Sequence, residues 1–173
     1  HISIVFQDTN LFKMSVAENV AMYKPGASRE EIMEALRQAR CEDILEKLPN
    51  GVDSVIGARG VYLSGGEMQR IALARAILKD APIVLLDEAT AFADAENEYL
   101  IQRALDILLH GKTVLMIAHR LQTIVHADQI IVMQRGGIAE QGTHEELMQR
   151  QGVYAKMYHE YENSVSWKIG GWA

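Results

Sequence analysis

Three observations in the sequence predict an α/β fold with a mostly parallel central sheet. Ile2–Phe6 (ISIVF), Ile83–Leu86 (IVLL) and Thr113–Ala118 (TVLMIA) are apolar runs without alternation, as strands buried on both faces require. Helical periodicity fills the stretches around them, with Ile32, Leu36 and Ala39 in one segment and Leu100, Ile101, Ala104, Leu105 and Leu108 in another. Two of the runs stop abruptly on reactive side chains, Asp87 and Glu88 after one and His119 after the other. In open α/β sheets ligands collect at the carboxyl ends of strands.

With 173 residues, 49% hydrophobic and 23% charged, the chain is long enough to bury a substantial core and has the composition of a globular protein. A net charge of -6 and the lack of a cationic stripe argue against a nucleic-acid surface, and no nucleic-acid partner is expected. No apolar run approaches the roughly 20 residues of a membrane-spanning helix, and no signal-peptide pattern opens the chain, so the chain itself is expected to be soluble. Cys41 is the single cysteine and reads as a small buried apolar side chain. The six histidines show no zinc spacing, and no structural metal is expected.

Taken in order, ISIVF opens without an element before it and reads as a cut end. Ser15 and Glu18 have capping-box spacing, and Pro25-Gly26 closes that segment. A second box, Ser28 and Glu31, opens a helical reading of 29–48, with a distinct stretch from Glu42 to Leu48 before Pro49-Asn50-Gly51. A loop with Gly51, Gly57 and Gly60 leads to a third box, Ser64 and Glu67, whose helix breaks at Asp80 to Pro82. After the strand comes a helix over 96–109, then the strand 113–118, then a short helical piece over 121–126. Gln129–Gln134 and Ile138–Gln141 form a hairpin turning at Gly136-Gly137, and Thr143 with Glu146 makes a fourth box. Helices around 144–149 and 152–162 finish the domain; SVSWKIGGWA (164–173) has no periodicity and is expected to be loosely held.

Two places carry chemistry. At Ser64-Gly65-Gly66-Glu67 the unpaired N–H groups of a helix start could face an anion at close range, though an ordinary N-cap would look similar. Two glycines weigh against the ordinary cap, since each costs roughly 1 kcal/mol against alanine in a helix. At the end of IVLL, the Asp87 carboxylate could hold Mg²⁺ and Glu88 could activate a water, or the pair could simply start a helix. Gly111-Lys112-Thr113 is not a phosphate loop, because Asp106 stands five positions before Gly111 and a strand follows. No GxxxxGK[ST] occurs in the chain.

Together, LSGGEMQR (63–70) followed by IVLLDEAT (83–90) resembles the ATP-binding cassette family, whose signature and Walker B motifs have this form and order. VFQD (5–8) is similar to the family's Q-loop, TAFAD (90–94) to its D-loop with only Asp94 of the usual SALD retained, and IAHR (117–120) to its switch-histidine loop. The LF and serine-led ENV after Gln7 resemble exporters with fused membrane domains, although Ala58 stands where such proteins usually carry a glutamate.

The resemblance implies a P-loop NTPase fold, partial here, with an inserted helical subdomain. Residues 1–27 would be the Q-loop strand and connector and 28–80 the helical subdomain with the signature. The ATPase core with Walker B, D-loop and H-loop would occupy 81–162, and 163–173 would be a tail. ATP and Mg²⁺ are the implied ligands. Asp87 would position Mg²⁺ through water with Gln7 also on the metal side, Glu88 would be the general base, and His119 and Gln7 would sense the γ-phosphate. Ser64, Gly65, Gly66 and Glu67 would meet the nucleotide held by a second domain, and Asp94 would help hold that interface. A side chain at Gly66 is then expected to block close approach of the phosphate while leaving the helix formed. The implied partners are a second nucleotide-binding domain and a transmembrane domain, at the cytoplasmic face of a membrane. The alternatives are a soluble cassette ATPase without transport, and a dimerisation module inactive for want of a Walker A loop.

Overall fold

The computed structural model describes residues 1–6, 11–57, 61–87, 95–118 and 121–170, with side chains at 95, 96 and 164–170 left aside. The chain divides into two compact units, His1–Ile117 and Ala118–Ala173.

In the first unit β1 (Ile2–Val5), β4 (Ile83–Asp87) and β5 (Thr113–Ile117) form a parallel sheet in the order β1-β4-β5. Val5 pairs with Leu86 and Asp87 with Ile117, so the three strands end along one edge. The parallel arrangement follows the sequence reading, but burial on both faces does not. Val84 and Leu86 are buried against α4 (Gly65–Lys79) and α5 (Ala95–Leu109), whose Ile71, Leu73, Ile101, Ala104, Leu105 and Leu108 complete the core. Ile2, Ile4 and Ile83 are exposed, and so is every residue of β5. Apolarity on both sides of a strand therefore marks the strand without showing that both sides are covered.

Three further helices, α1 (Val16–Ala21), α2 (Arg29–Gln38) and α3 (Glu42–Lys47), pack with α4. The boxes at Ser15/Glu18 and Ser28/Glu31 form in full, each hydroxyl accepting the N3 amide and each glutamate accepting the cap amide. The helical reading of 29–48 splits where Arg40 takes a left-handed φ of 59°. Cys41 sits buried at the break, its thiol pKa pushed up by burial.

A two-stranded antiparallel piece pairs β2 (Met14–Ser15) with β3 (Val55–Ile56). It is braced by Asn19, fully buried, which accepts from the Phe12 amide at 2.9 Å and donates to the carbonyls of Phe12, Met14 and Ser15. From α4, Arg75 Nε donates to the Asn19 carbonyl at 2.8 Å. Gly57 has φ +87°, and a Cβ there would come within 2.9 Å of the Phe12 carbonyl group, so backbone crosses backbone where only glycine fits.

The second unit holds a 3₁₀ turn (Leu121–Ile124), the hairpin β6 (Ile130–Gln134) and β7 (Gly137–Gly142), α6 (His144–Arg150) and α7 (Val153–Gly170). Ile130, Val132, Leu147 and Tyr154 form its core. The hairpin turns at Arg135-Gly136, one residue before the predicted Gly136-Gly137, because a two-residue turn of this hand needs positive φ at both positions, and these have 51° and 80°. Glu140 accepts the Val153 and Tyr154 amides and so caps α7. That helix runs to Gly170, so the stretch from 164 is helical as far as that residue although it lacks apolar periodicity, which does not stop a helix already nucleated upstream. Among the described residues no helix is long and apolar enough to cross a membrane.

Candidate functional site

The carboxyl edge of the three-stranded sheet carries Asp87, and the first turn of α4 carries Gly65, Gly66 and Glu67. Asp87 is the last residue of the central strand β4 and is partly buried, paired in register with Ile117 of β5. Gln7 lies two residues past the end of β1, Glu88 one past β4 and His119 two past β5. These three, and Asp94, lie outside the described residues. What the structure contributes is that the strands they follow are adjacent, parallel and end together.

On α4, Lys79 Nζ donates to the Ile2 carbonyl at 2.6 Å, so the last turn of the helix lies at the amino edge of the sheet. A 15-residue helix is about 22 Å long, which carries its first turn toward the opposite, carboxyl edge. The box closes there: Ser64 Oγ accepts from the Glu67 amide at 3.2 Å and Glu67 Oε2 accepts from the Ser64 amide at 2.8 Å. Glu67 Oε1 accepts from Lys47 of α3 at 3.0 Å. Burial pushes the Glu67 pKa up, but the Ser64 amide and Lys47 outweigh it and hold the carboxyl below its ordinary value.

The two glycines differ. Among the described residues nothing lies within 4 Å of a Cβ built on Gly65, which is exposed. A Cβ on Gly66, which is buried, would come 2.7 Å from Asn97 Cγ of α5. A side chain at Gly66, expected to block the phosphate while leaving the helix formed, would also strike this chain's own Asn97, so the substitution would not act on an incoming phosphate alone. Gly65 is the position where a side chain would point into open space.

One turn along, Arg70 is buried and forks onto Asp43 of α3, with Nη1 to Oδ1 at 2.6 Å and Nη2 to Oδ2 at 2.9 Å. It also donates to the Arg40 carbonyl and, at 3.2 Å, to Asn97 Oδ1. These hydrogen bonds from Arg70 hold the Asp43 carboxyl below its ordinary value. Sequence reasoning missed Asp43 and Lys47 on α3 and Asn97 on α5, all of which join α4 from other helices.

Asp43 and Glu67 both have folded-state pKa values below their ordinary ones. Their stabilisation is therefore present above the unfolded carboxylate range and is lost as pH falls through the folded values. Asp43, which pairs with buried Arg70, carries most of that loss, whereas the pair of Glu34 and Arg37 lies in water and adds little. The thermal midpoint of the chain is expected to fall steadily below about pH 4, and less steeply in Asp43→Asn. Melting followed by circular dichroism across this range checks it; a flat profile contradicts it.

Among the described residues no three His, Cys, Asp or Glu side chains gather as a metal site. Mg²⁺ needs no such gathering, since it keeps waters and takes one or two carboxylates alongside substrate phosphates. Asp87 at the strand end fits that demand, and the open first turn of α4 beside Gly65 fits an anion.

Residues 1–91 match the sequence profile described as ABC transporter. The chain is 52% identical over 157 residues to the ATP-dependent lipid A-core flippase of Legionella pneumophila (strain Lens), covering 91% of this chain and 27% of that protein. It is 53% identical to a mycobactin import ATP-binding/permease protein of Mycolicibacterium smegmatis, over 91% of this chain and 18% of that protein. Among solved structures, a bacterial Atm1-family ABC exporter with ATP bound superimposes with a TM-score of 0.80 and 42% identity, covering 92% of this chain and 28% of that one. The chain thus spans roughly a quarter or less of the length of these proteins. At these identities and this coverage, the strand order, the signature turn on α4 and Asp87 at the end of β4 have one account: the chain belongs to the ABC transporter family.

Proposed function

We propose that this chain is most of the nucleotide-binding domain of an exporter-type ABC transporter, coupling ATP binding and hydrolysis to movement of a substrate across a membrane. The observation that carries it is the shared carboxyl edge of β1, β4 and β5, with Asp87 closing the central strand. On this reading Asp87 positions Mg²⁺ through water, Gln7 lies on the metal side and senses the γ-phosphate with His119, and Glu88 is the general base. Ser64, Gly65, Gly66 and Glu67 meet the nucleotide held by a second nucleotide-binding domain, and Asp94 supports that interface. Glu67 acts there with its carboxylate already neutralised by Lys47, which suits a surface that must receive a polyanion.

The partners are a second nucleotide-binding domain and a transmembrane domain, placing the chain on the cytoplasmic face of the membrane. The functional division is 1–27 and 81–162 as the ATPase core, 28–80 as the helical subdomain and 163–173 as a tail. The named relatives include a flippase and an import protein, so neither the substrate nor its direction is read from this domain.

Phosphate release by the full-length protein reconstituted in lipid vesicles tests the reading. MgATP-dependent turnover supports it, and its absence overturns it. The 173-residue chain alone is expected to bind MgATP weakly and turn it over negligibly, because it contains no Walker A loop to hold the β- and γ-phosphates. Isothermal titration reporting micromolar affinity for this chain would contradict that expectation.

A further inference from the structure

Gly66 and Arg70 stand four residues apart, on one face of successive turns of α4, and Asn97 of α5 touches both. A Cβ at Gly66 would lie 2.7 Å from Asn97 Cγ, 2.8 Å from its Cβ and 3.0 Å from its Oδ1, too close for real side chains. Arg70 Nη2 donates to that same Oδ1 at 3.2 Å while its fork is fixed on Asp43. Asn97 is the third residue of α5, which starts at Ala95, directly after Asp94 in the chain. The carboxamide thus fills the space a side chain at Gly66 would occupy, and it takes its orientation from a guanidinium anchored on a third helix.

The geometry points to Asn97 as a positioning residue that locks the first turn of α5 onto the first turn of α4, so that these two turns hold one orientation. Gly66 is then glycine to admit Asn97, whereas Gly65, open on its outer side, is not needed for any described contact within the chain. The consequence for turnover rests on the ATPase reading above; the contact itself does not.

The test uses the full-length protein and four variants: Gly66→Ala, Asn97→Gly, the two together, and Asn97→Asp. Glycine is required at 97 because alanine would keep the Cβ that also collides. Gly66→Ala is expected to lower kcat for MgATP about tenfold or more, a barrier change of about 1.4 kcal/mol. Asn97→Gly, which loses the lock but leaves no clash, is expected to lower kcat only about threefold, and the double variant is expected to match it, well above Gly66→Ala, the non-additivity that shared contacts produce. Asn97→Asp, which keeps an acceptor toward Arg70, is expected to retain kcat, with KM little changed throughout. Losses that simply multiply, or a double variant as inactive as Gly66→Ala, would overturn the proposal and show that Gly66 serves a contact other than Asn97. Thermal midpoints of the same four proteins carry the same pattern. If the wild type shows no turnover, the ATPase reading fails, and rescue of the midpoint in the double variant still decides the role of Asn97.

Discussion

Glu88→Gln in the full-length protein is expected to lower MgATP turnover by about 10²–10⁴-fold, the usual contribution of a general base, while ATP binding persists. Glutamine keeps the shape and hydrogen bonding of the side chain but cannot accept the proton of an attacking water. The expectation is tied to this chain by Asp87, which ends β4 at the shared strand edge and directly precedes Glu88 in the sequence. Phosphate release measured beside filter-bound ATP separates the two effects. A fall of less than tenfold would move the base elsewhere, with His119 the next candidate.

Asp43→Ala is expected to cost the folded chain about 2 kcal/mol. Removing one partner of a fully buried ion pair costs roughly 3–5 kcal/mol, and the half-exposed Asp43 side chain reduces that through solvent screening. The loss arises because Arg70 stays buried while two of its charge-assisted hydrogen bonds disappear. The exposed pair Arg29 and Asp53 has equally good distances but lies in water on both sides, so Asp53→Ala is expected to leave the urea midpoint essentially unchanged. Urea unfolding of the two variants side by side checks the contrast; equal losses would contradict the role assigned to burial.

The sequence reading succeeded where the controlling interactions are local. The boxes at Ser15/Glu18, Ser28/Glu31, Ser64/Glu67 and Thr143/Glu146 all form, because a cap and its partner are three residues apart and need no knowledge of the rest of the chain. The apolar runs fixed strands β1, β4 and β5 for the same reason. What the runs do not encode is what lies over each face: Leu115 and Ile117 are as apolar as Val84 and Leu86 yet exposed. Nor could spacing expose the partners of the signature turn. Asp43 reaches Arg70 across 27 residues of sequence and Lys47 reaches Glu67 across 20, and each taken alone is an ordinary charged residue on a helix. Gly65 and Gly66 read as equivalent in sequence because the difference between them is made by Asn97, which belongs to another helix.

The central claim is that the first turn of α4 addresses a nucleotide held by a second nucleotide-binding domain, and Gly65→Asp tests it most directly. Among the described residues the substitution meets open space, and an acidic side chain in the first turn of a helix is neutral or mildly stabilising for folding. Across an interface it would set bulk and negative charge against a phosphate. The measurement is the ATP retained through rapid gel filtration by full-length Glu88→Gln protein, with and without Gly65→Asp. The account predicts that retention falls by about tenfold or more, equivalent to about 1.4 kcal/mol of lost closure, with the thermal midpoint unchanged. Equal retention in the two proteins would contradict it and leave Ser64–Glu67 as no more than a helix cap.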